Sequence, residues 1–318
     1  MKELDARRLM TLVSIISPSY NQAAYLEQTI RSVLDQGYPE LEYVIVDGGS
    51  TDGSLEIIKR HADRLAWWVS EKDSGQAEAI NKGMKRAHGE IVAWLNSDDV
   101  YLPGAIAGAV KAFAAHPQAV MVYGDTRAVD AENHTLNVLR YRQLSLEDLL
   151  CYQILGQPAV FMRRSAFEAS GGLDPSYHFM LDHQLWIKIA LQGEIVHVGE
   201  QWAAARYHPL AKNRAQATGF AREAFRLLDW AEGEAQLQPV LLRVGRRARA
   251  AAQRVNARYL LDDGQSWPAL QAWSRALVIH PPTALARLNL LGSALLNLLG
   301  LEAVRLAVLR YREKRLSR

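Results

Sequence analysis

Cysteine is nearly absent. Cys151 is the single one in 318 residues, so no internal disulfide exists and the framework is that of a reducing compartment. The start, Met1-Lys2-Glu3-Leu4-Asp5-Ala6-Arg7-Arg8, lacks an apolar signal core, which argues against secretion and predicts a cytoplasmic protein. The longest apolar stretch, Leu288 to Leu301, is broken by Asn and Gly and falls short of a bilayer span. The first apolar strand is followed by Ser17-Pro18-Ser19-Tyr20-Asn21, with no Gly-x-Gly-x-x-Gly. That counts against a dinucleotide-dependent oxidoreductase, and the lack of a basic Gly-rich loop there counts against a sugar nucleotidyltransferase.

What is present suffices for a large buried core, since 49% of the residues are hydrophobic. The net charge of +3 hides an asymmetry. From Gln216 onward 16 Lys/Arg face 8 Asp/Glu, whereas residues 1–215 carry 21 against 26. An acidic body with a basic tail is not a nucleic-acid-binding layout. It fits a catalytic domain with a surface-seeking extension.

Over the first two hundred residues short apolar runs alternate with helical patterns. Leu12-Val13-Ser14-Ile15-Ile16, Tyr43-Val44-Ile45-Val46, Trp67-Trp68-Val69 and Ile91-Val92-Ala93-Trp94-Leu95 read as strands. Between them Leu26, Ile30, Val33 and Leu34, with Asn21 as N-cap, and then Ala79, Ile80, Gly83 and Met84 follow helical spacing. The alternation predicts an α/β fold with a mainly parallel sheet flanked by helices, whose ligands bind beyond the carboxyl ends of the strands. Each strand ends in polar or small residues suited to a ligand. These ends are Ser17–Asn21, Asp47–Gly53, Ser70–Gln76 and Asn96–Asp99. The boundary is placed at residue 215, with an α-helical extension over 216–318.

Five ordered segments then resemble the family 2 glycosyltransferases. They are Ser14–Asn21 with Ser32–Gln36, Tyr43–Ser54, Ser70–Gln76, Asn81-Lys82-Gly83 and Trp94–Asp99. The resemblance covers residues 11 to about 212 and implies a GT-A fold with inversion at the anomeric carbon. It implies that Pro18, Ser19 and Tyr20 line a nucleotide base pocket and that Asp47, with Gly48, binds the base edge or ribose. A turn-forming Asp before two glycines is the alternative for Asp47. Asp73 and Lys82 resemble donor-binding positions, although a surface ion pair explains Lys82 as well.

The family's Asp-x-Asp metal motif stands here as Asn96-Ser97-Asp98, with Asn in the first place. Asp98 is the expected ligand of a divalent cation, Mn2+ or Mg2+, with Asp99 in reserve. Helix capping near Pro103 is the alternative. Asn96 is expected to reach a ribose hydroxyl. Phe179–Trp186 resembles the acceptor-side segment and makes Asp182 the general base, with a helix N-cap as its alternative. His208 would complete the metal shell, and Arg206 or Lys212 would clamp phosphate oxygens.

The implied partners are a UDP-, GDP- or dTDP-sugar donor and a saccharide or lipid-linked acceptor, and no nucleic acid. A catalytically dead nucleotide-sugar-binding module is the rival from another class, and intact Asp47, Asp98 and Asp182 argue against it. In the tail, Leu260 to Pro281 looks like a single tetratricopeptide-type helix pair. Arg305, Arg310, Arg312, Lys314, Arg315 and Arg318 give it a basic end suited to the inner membrane surface, or to packing on its own domain or a second subunit.

Overall fold

The computed structural model describes residues 11–207, 217–301 and 304, and these fall into two compact units. The first unit is α/β. Along the chain it holds β1 (Val13–Ser19), α1 (Ala23–Leu34), β2 (Leu41–Asp47), α2 (Ser54–Arg60) and β3 (Trp67–Ser70). Next come α3 (Gln76–Met84), β4 (Ile91–Trp94), β5 (Val100–Tyr101), α4 (Ala105–Ala115), β6 (Ala119–Val129) and β7 (Thr135–Leu139). After α5 (Leu146–Leu150), which belongs to the second unit, come β8 (Val160–Arg163), α6 (Arg164–Ala169), α7 (Leu181–Ala190) and β9 (Glu194–Arg206).

The strands form one sheet in the order β3-β2-β1-β4-β8-β6-β9-β5, with β7 paired to β6. The four strands from β3 to β4 are parallel, and these carry the polar ends identified above. All seven residues of β1 are buried, as expected of a central strand covered on both faces. Edge strand β3 is only half-buried. Helix α1 presents Leu26, Ile30 and Val33 inward, a stripe at helical spacing, and they join Val13, Ile15, Tyr43 and Ile45 in one core. Each such side chain contributes about 1.5–3 kcal/mol by leaving water. Gly83 lets α3 lie close on the sheet. A Cβ there would meet Ile16 Cγ2 at 2.5 Å.

One local expectation changed. Gln22, not Asn21, occupies the N-cap of α1. Asn21 takes a left-handed conformation (φ 51°), and its Oδ1 accepts from the Thr51 amide at 2.9 Å while its own amide donates to Ser50 Oγ. It ties the loop after β1 to the loop after β2.

The second unit is helical, with α8 (Ala217–Gly233), α9 (Gln238–Asp262), α10 (Ser266–Ile279), α11 (Pro281–Leu285) and α12 (Leu288–Leu298). Gly264 makes the α9–α10 turn at φ +77°, and Ala250, Ala257, Ala272, Trp273, Ala276 and Ala284 form its small core. The expected single cut at residue 215 is corrected, because Leu144–Ile154 groups with this unit. Asp148 pairs with Arg247 at 3.0 Å, Glu147 with Arg243 at 2.9 Å, and the Tyr152 hydroxyl donates to the Ala224 carbonyl. Among the described residues no helix is long and apolar enough to cross a membrane. The basic positions Arg305, Arg310, Arg312, Lys314, Arg315 and Arg318 lie outside the described residues.

Candidate active site

The carboxyl ends of β1, β2 and β3 are level with one another. Parallel register sets Ser19 beside Asp47, and Asp47 beside Ser70. Three polar residues thus stand in a row at the rim where sheets of this kind bind ligands. Pro18 precedes them on β1, and Tyr20 follows with its side chain exposed. Ser19 is buried, and its Oγ has no hydrogen-bond partner among the described residues.

Asp47 is fully buried. Its carboxylate accepts from the Gly49 and Ser50 amides at 3.1 and 2.9 Å, and from the Ser50 and Ser70 hydroxyls at 2.5 and 2.7 Å. Four donors satisfy the buried anion and fold the chain around it, which are the contacts of the turn-forming alternative. The Gly48 amide donates to Ser19 O at 2.8 Å, and a Cβ on Gly48 would stand 3.0 Å from Asp73 Oδ2. Glycine here lets the β3–α3 loop bring Asp73 against the end of β2. Burial, reinforced by the charges of Glu78 and Asp47, pushes the Asp73 carboxyl up, although the Gly75 amide donates to it. Lys82 pairs with Glu71 at 2.8 Å and approaches Glu78 at 3.9 Å, which is the surface-pair alternative.

The loop after β4 is held from behind. The Asp99 amide donates to Asn96 O, and Thr29 Oγ1 on α1 donates to the carbonyls of Ser97 and Asp99 at 3.0 and 2.7 Å. Asp99 is 6% exposed and accepts from the Arg206 amide at 2.9 Å and from Asn96 Nδ2 at 3.4 Å. Burial first, then the neighbouring Asp98, pushes its carboxyl well above the ordinary range. Neither residue caps α4, whose N-cap is Gly104.

The reserve role of Asp99 as metal ligand is therefore corrected: it is a buried acceptor inside the loop, and half-buried Asp98 remains the candidate ligand. Arg206 is corrected too. Its Nε donates to Asp98 O at 2.9 Å, its Nη1 to the carbonyls of Asp130 and Ala131, and its Nη2 to Gln28 Oε1. The guanidinium also lies 4.7 Å over the Tyr25 ring. A buried guanidinium with those four protein acceptors positions the Asp98 loop rather than clamping a phosphate. The amide of Asn96, expected at a ribose hydroxyl, is instead bonded to Gln76, Gln157 and Asp99.

Asp182 lies half-buried in the first turn of α7, whose N-cap is Met180, so the capping alternative is not what the geometry shows. Its Oδ1 accepts from the His183 amide at 2.7 Å. Behind it Leu185, Trp186 and Ile189 are buried, and Trp186 stacks on Trp94 of β4 at 5.1 Å. That stack ties α7 to the strand bearing the Asp98 loop. Asn81 on α3 adds a second tie, accepting from the Leu173 amide and donating to its carbonyl. His208 and Lys212 lie outside the described residues.

Two features escaped the sequence reading. One is the bonding of two neutral amides, Gln76 and Gln157, to Asn96. The other is the group Asp130, Glu132 and His134 in the β6–β7 turn, whose ligand-type atoms lie within 4.8 Å of one another. Their alternate spacing was the available signal. Asp130 Oδ1 accepts from the amides of Glu132 and His134, and these turn bonds account for the grouping.

The sheet and its acidic strand ends define a glycosyltransferase fold of the GT-A type. The family model described as Glycosyl transferase family 2 matches residues 14–171, and the chain belongs to that family. It is 29% identical over 206 residues to an uncharacterized glycosyltransferase of Rickettsia typhi, covering 62% of this chain and 64% of that one. It is 47% identical over 91 residues to the putative teichuronic acid biosynthesis glycosyltransferase TuaG of Bacillus subtilis, covering 28% and 36%. The chain thus spans less than two thirds of the length of either relative. The mannosyltransferase PcManGT from Pyrobaculum calidifontis, solved in complex with GDP-Man and Mn2+, superposes with a TM-score of 0.60 at 23% identity, covering 91% and 87% of the two chains. That likeness carries the fold.

Proposed function

We propose that this chain transfers a sugar from a UDP-, GDP- or dTDP-sugar to a saccharide or lipid-linked acceptor, with inversion, in cell-surface polysaccharide or glycolipid assembly. The observation that carries the reading is the alignment of Ser19, Asp47 and Ser70 on the rim that also bears the Asp98 loop. Pro18, Ser19, Tyr20, Gly48 and Asp73 line the donor side. Kinship with a putative teichuronic acid glycosyltransferase supports the substrate class.

A divalent cation, Mn2+ or Mg2+, fits the oxygen chemistry of Asp98, with His208 as a second ligand; PcManGT, bound to GDP-Man and Mn2+, supports this. When bound, it neutralises the charge on the departing diphosphate. This chain's residues do the rest. Arg206, Thr29 and Asp99 hold the loop that presents Asp98 to the cation. Asp182 takes the proton of the acceptor hydroxyl as its oxygen bonds to the anomeric carbon, and the bond from that carbon to phosphate oxygen breaks on the opposite face. The nucleoside diphosphate leaves with the bonding electron pair. Action on a lipid-linked acceptor would place the protein at the cytoplasmic face of the membrane, and the basic end of the sequence suits an anionic surface.

A thermal-shift panel tests the reading: one nucleotide-sugar should raise the melting temperature with Mn2+ and be turned over when acceptors are supplied. Tight nucleotide binding without turnover of any common donor would favour the inactive binding module instead.

A further inference from the structure

By the resemblance drawn from the sequence, Asn96 takes the place of the first carboxylate of a metal motif. Its surroundings explain the exchange through the polarity of a hydrogen-bond chain. The chain starts at a backbone carbonyl, which only accepts. Gln157 Nε2 donates to Trp94 O at 2.9 Å. That bond turns Gln157 Oε1 toward residue 96, where it accepts from Asn96 Nδ2 at 3.0 Å. Asn96 Nδ2 also reaches Asp99 Oδ2 at 3.4 Å, so both groups before it are acceptors. Asn96 Oδ1 is then left to accept from Gln76 Nε2 at 2.6 Å. Every direction in the chain follows from the first. An Asp at 96 has no N–H to give, and it would set a second carboxyl group against Gln157 Oε1 and the carboxyl of Asp99.

We propose that Asn96 is a positioning residue, the centre of a Gln76–Asn96–Gln157 amide relay that holds the Asp98 loop in its cation-binding form. The site in this chain is thereby built for one aspartate, Asp98, and restoring the second weakens it. Gln76 opens α3, Gln157 precedes β8, and Asn96 follows β4. The relay therefore joins α3, the Asp98 loop and the segment before β8. Asn96 acts through its neighbours and does not contact the reacting atoms.

This inference rests on the cation-dependent donor binding proposed above. Simple electrostatics opposes it, because an added carboxylate should attract a cation more strongly. Mn2+ dissociation constants, read by electron paramagnetic resonance of free Mn2+ at saturating nucleoside diphosphate, decide between the two. The relay predicts that Asn96→Asp, nearly isosteric, weakens Mn2+ binding by about 10-fold or more, the range seen when groups supporting a metal ligand are lost. Equal or tighter Mn2+ binding in Asn96→Asp overturns the relay and leaves the donor reading intact. A wild-type protein that takes up no Mn2+ with UDP, GDP or dTDP overturns both.

A double-mutant cycle guards against a folding defect in the first variant. Gln76→Leu and Gln157→Leu should have non-multiplicative effects on Mn2+ affinity when Asn96 is present, and multiplicative ones in Asn96→Ala. Multiplicative effects in both backgrounds also overturn the relay.

Discussion

Asp47 and Asp99 close the loops after β2 and β4, the two strands that flank β1, and both are buried carboxylates. Their situations differ. Asp47 accepts from four donors, two amides and two hydroxyls, and has the row of Ser19 and Ser70 on either side. Asp99 accepts from one backbone amide and, at longer range, one side-chain amide, with a second carboxylate next to it. The first loop is complete in itself: its anion is the core of its turn. The second sets two carboxyl groups side by side, Asp99 buried inside the loop and Asp98 half-buried at the rim. On the proposed function, the loop with two carboxyl groups is the one that hosts the cation and the Asp47 loop the one that shapes the nucleotide pocket.

The largest expected effect falls on the loop after β4. Asp98→Ala should abolish the metal requirement together with transfer, lowering kcat/KM by about 1000-fold or more, with the melting temperature nearly unchanged. Unchanged Mn2+ dependence would remove Asp98 as ligand. Asp182→Asn, on neither loop, serves as a control for chemistry without binding. It should keep nucleotide affinity and lose about 100- to 10000-fold in kcat, and a normal rate would end its assignment as base.

The next effect is on stability and belongs to the complete loop. Asp47→Asn presents an amide to donors that need an acceptor and should cost about 1–3 kcal/mol in denaturant unfolding. A loss no larger than that of a surface substitution would show that the four donors do not carry the turn. The smallest effect is its counterpart, Asp99→Asn, which keeps an acceptor for the Arg206 amide and removes a charge that burial disfavours. It should cost less stability than Asp47→Asn does at neutral pH. The sign of its pH dependence is fixed as well. An acid whose folded value is raised costs stability above its ordinary value near ~3.9. Any advantage of Asp99→Asn at pH 7 should therefore shrink as the pH falls, and an advantage that grew would contradict the raised value.

Much of this was legible beforehand. The parallel strands from β1 to β4 were evident because an apolar run between helical patterns has few other solutions, and their polar ends followed from where such sheets leave room. The unit division was less legible. Leu144–Ile154 joins the helical unit through Asp148–Arg247 and Glu147–Arg243, pairs separated by about a hundred positions that no local pattern announces. Arg206 was misread for a related reason. Its type and place suit a phosphate clamp, and only three-dimensional closure brings the carbonyls of Asp98, Asp130 and Ala131 to its guanidinium.

The sequence by itself determined the class of fold, the family and the candidate carboxylates, because these depend on residue type and on spacing within single elements. The tertiary structure decided what each polar group does. Asp47 became the centre of a turn, Asp99 a buried acceptor, Arg206 a brace and Asn96 the middle of an amide chain. Hydrogen-bond partners come from distant segments and are assigned by direction as well as distance. A donor's role is therefore undefined until its acceptor has been brought beside it.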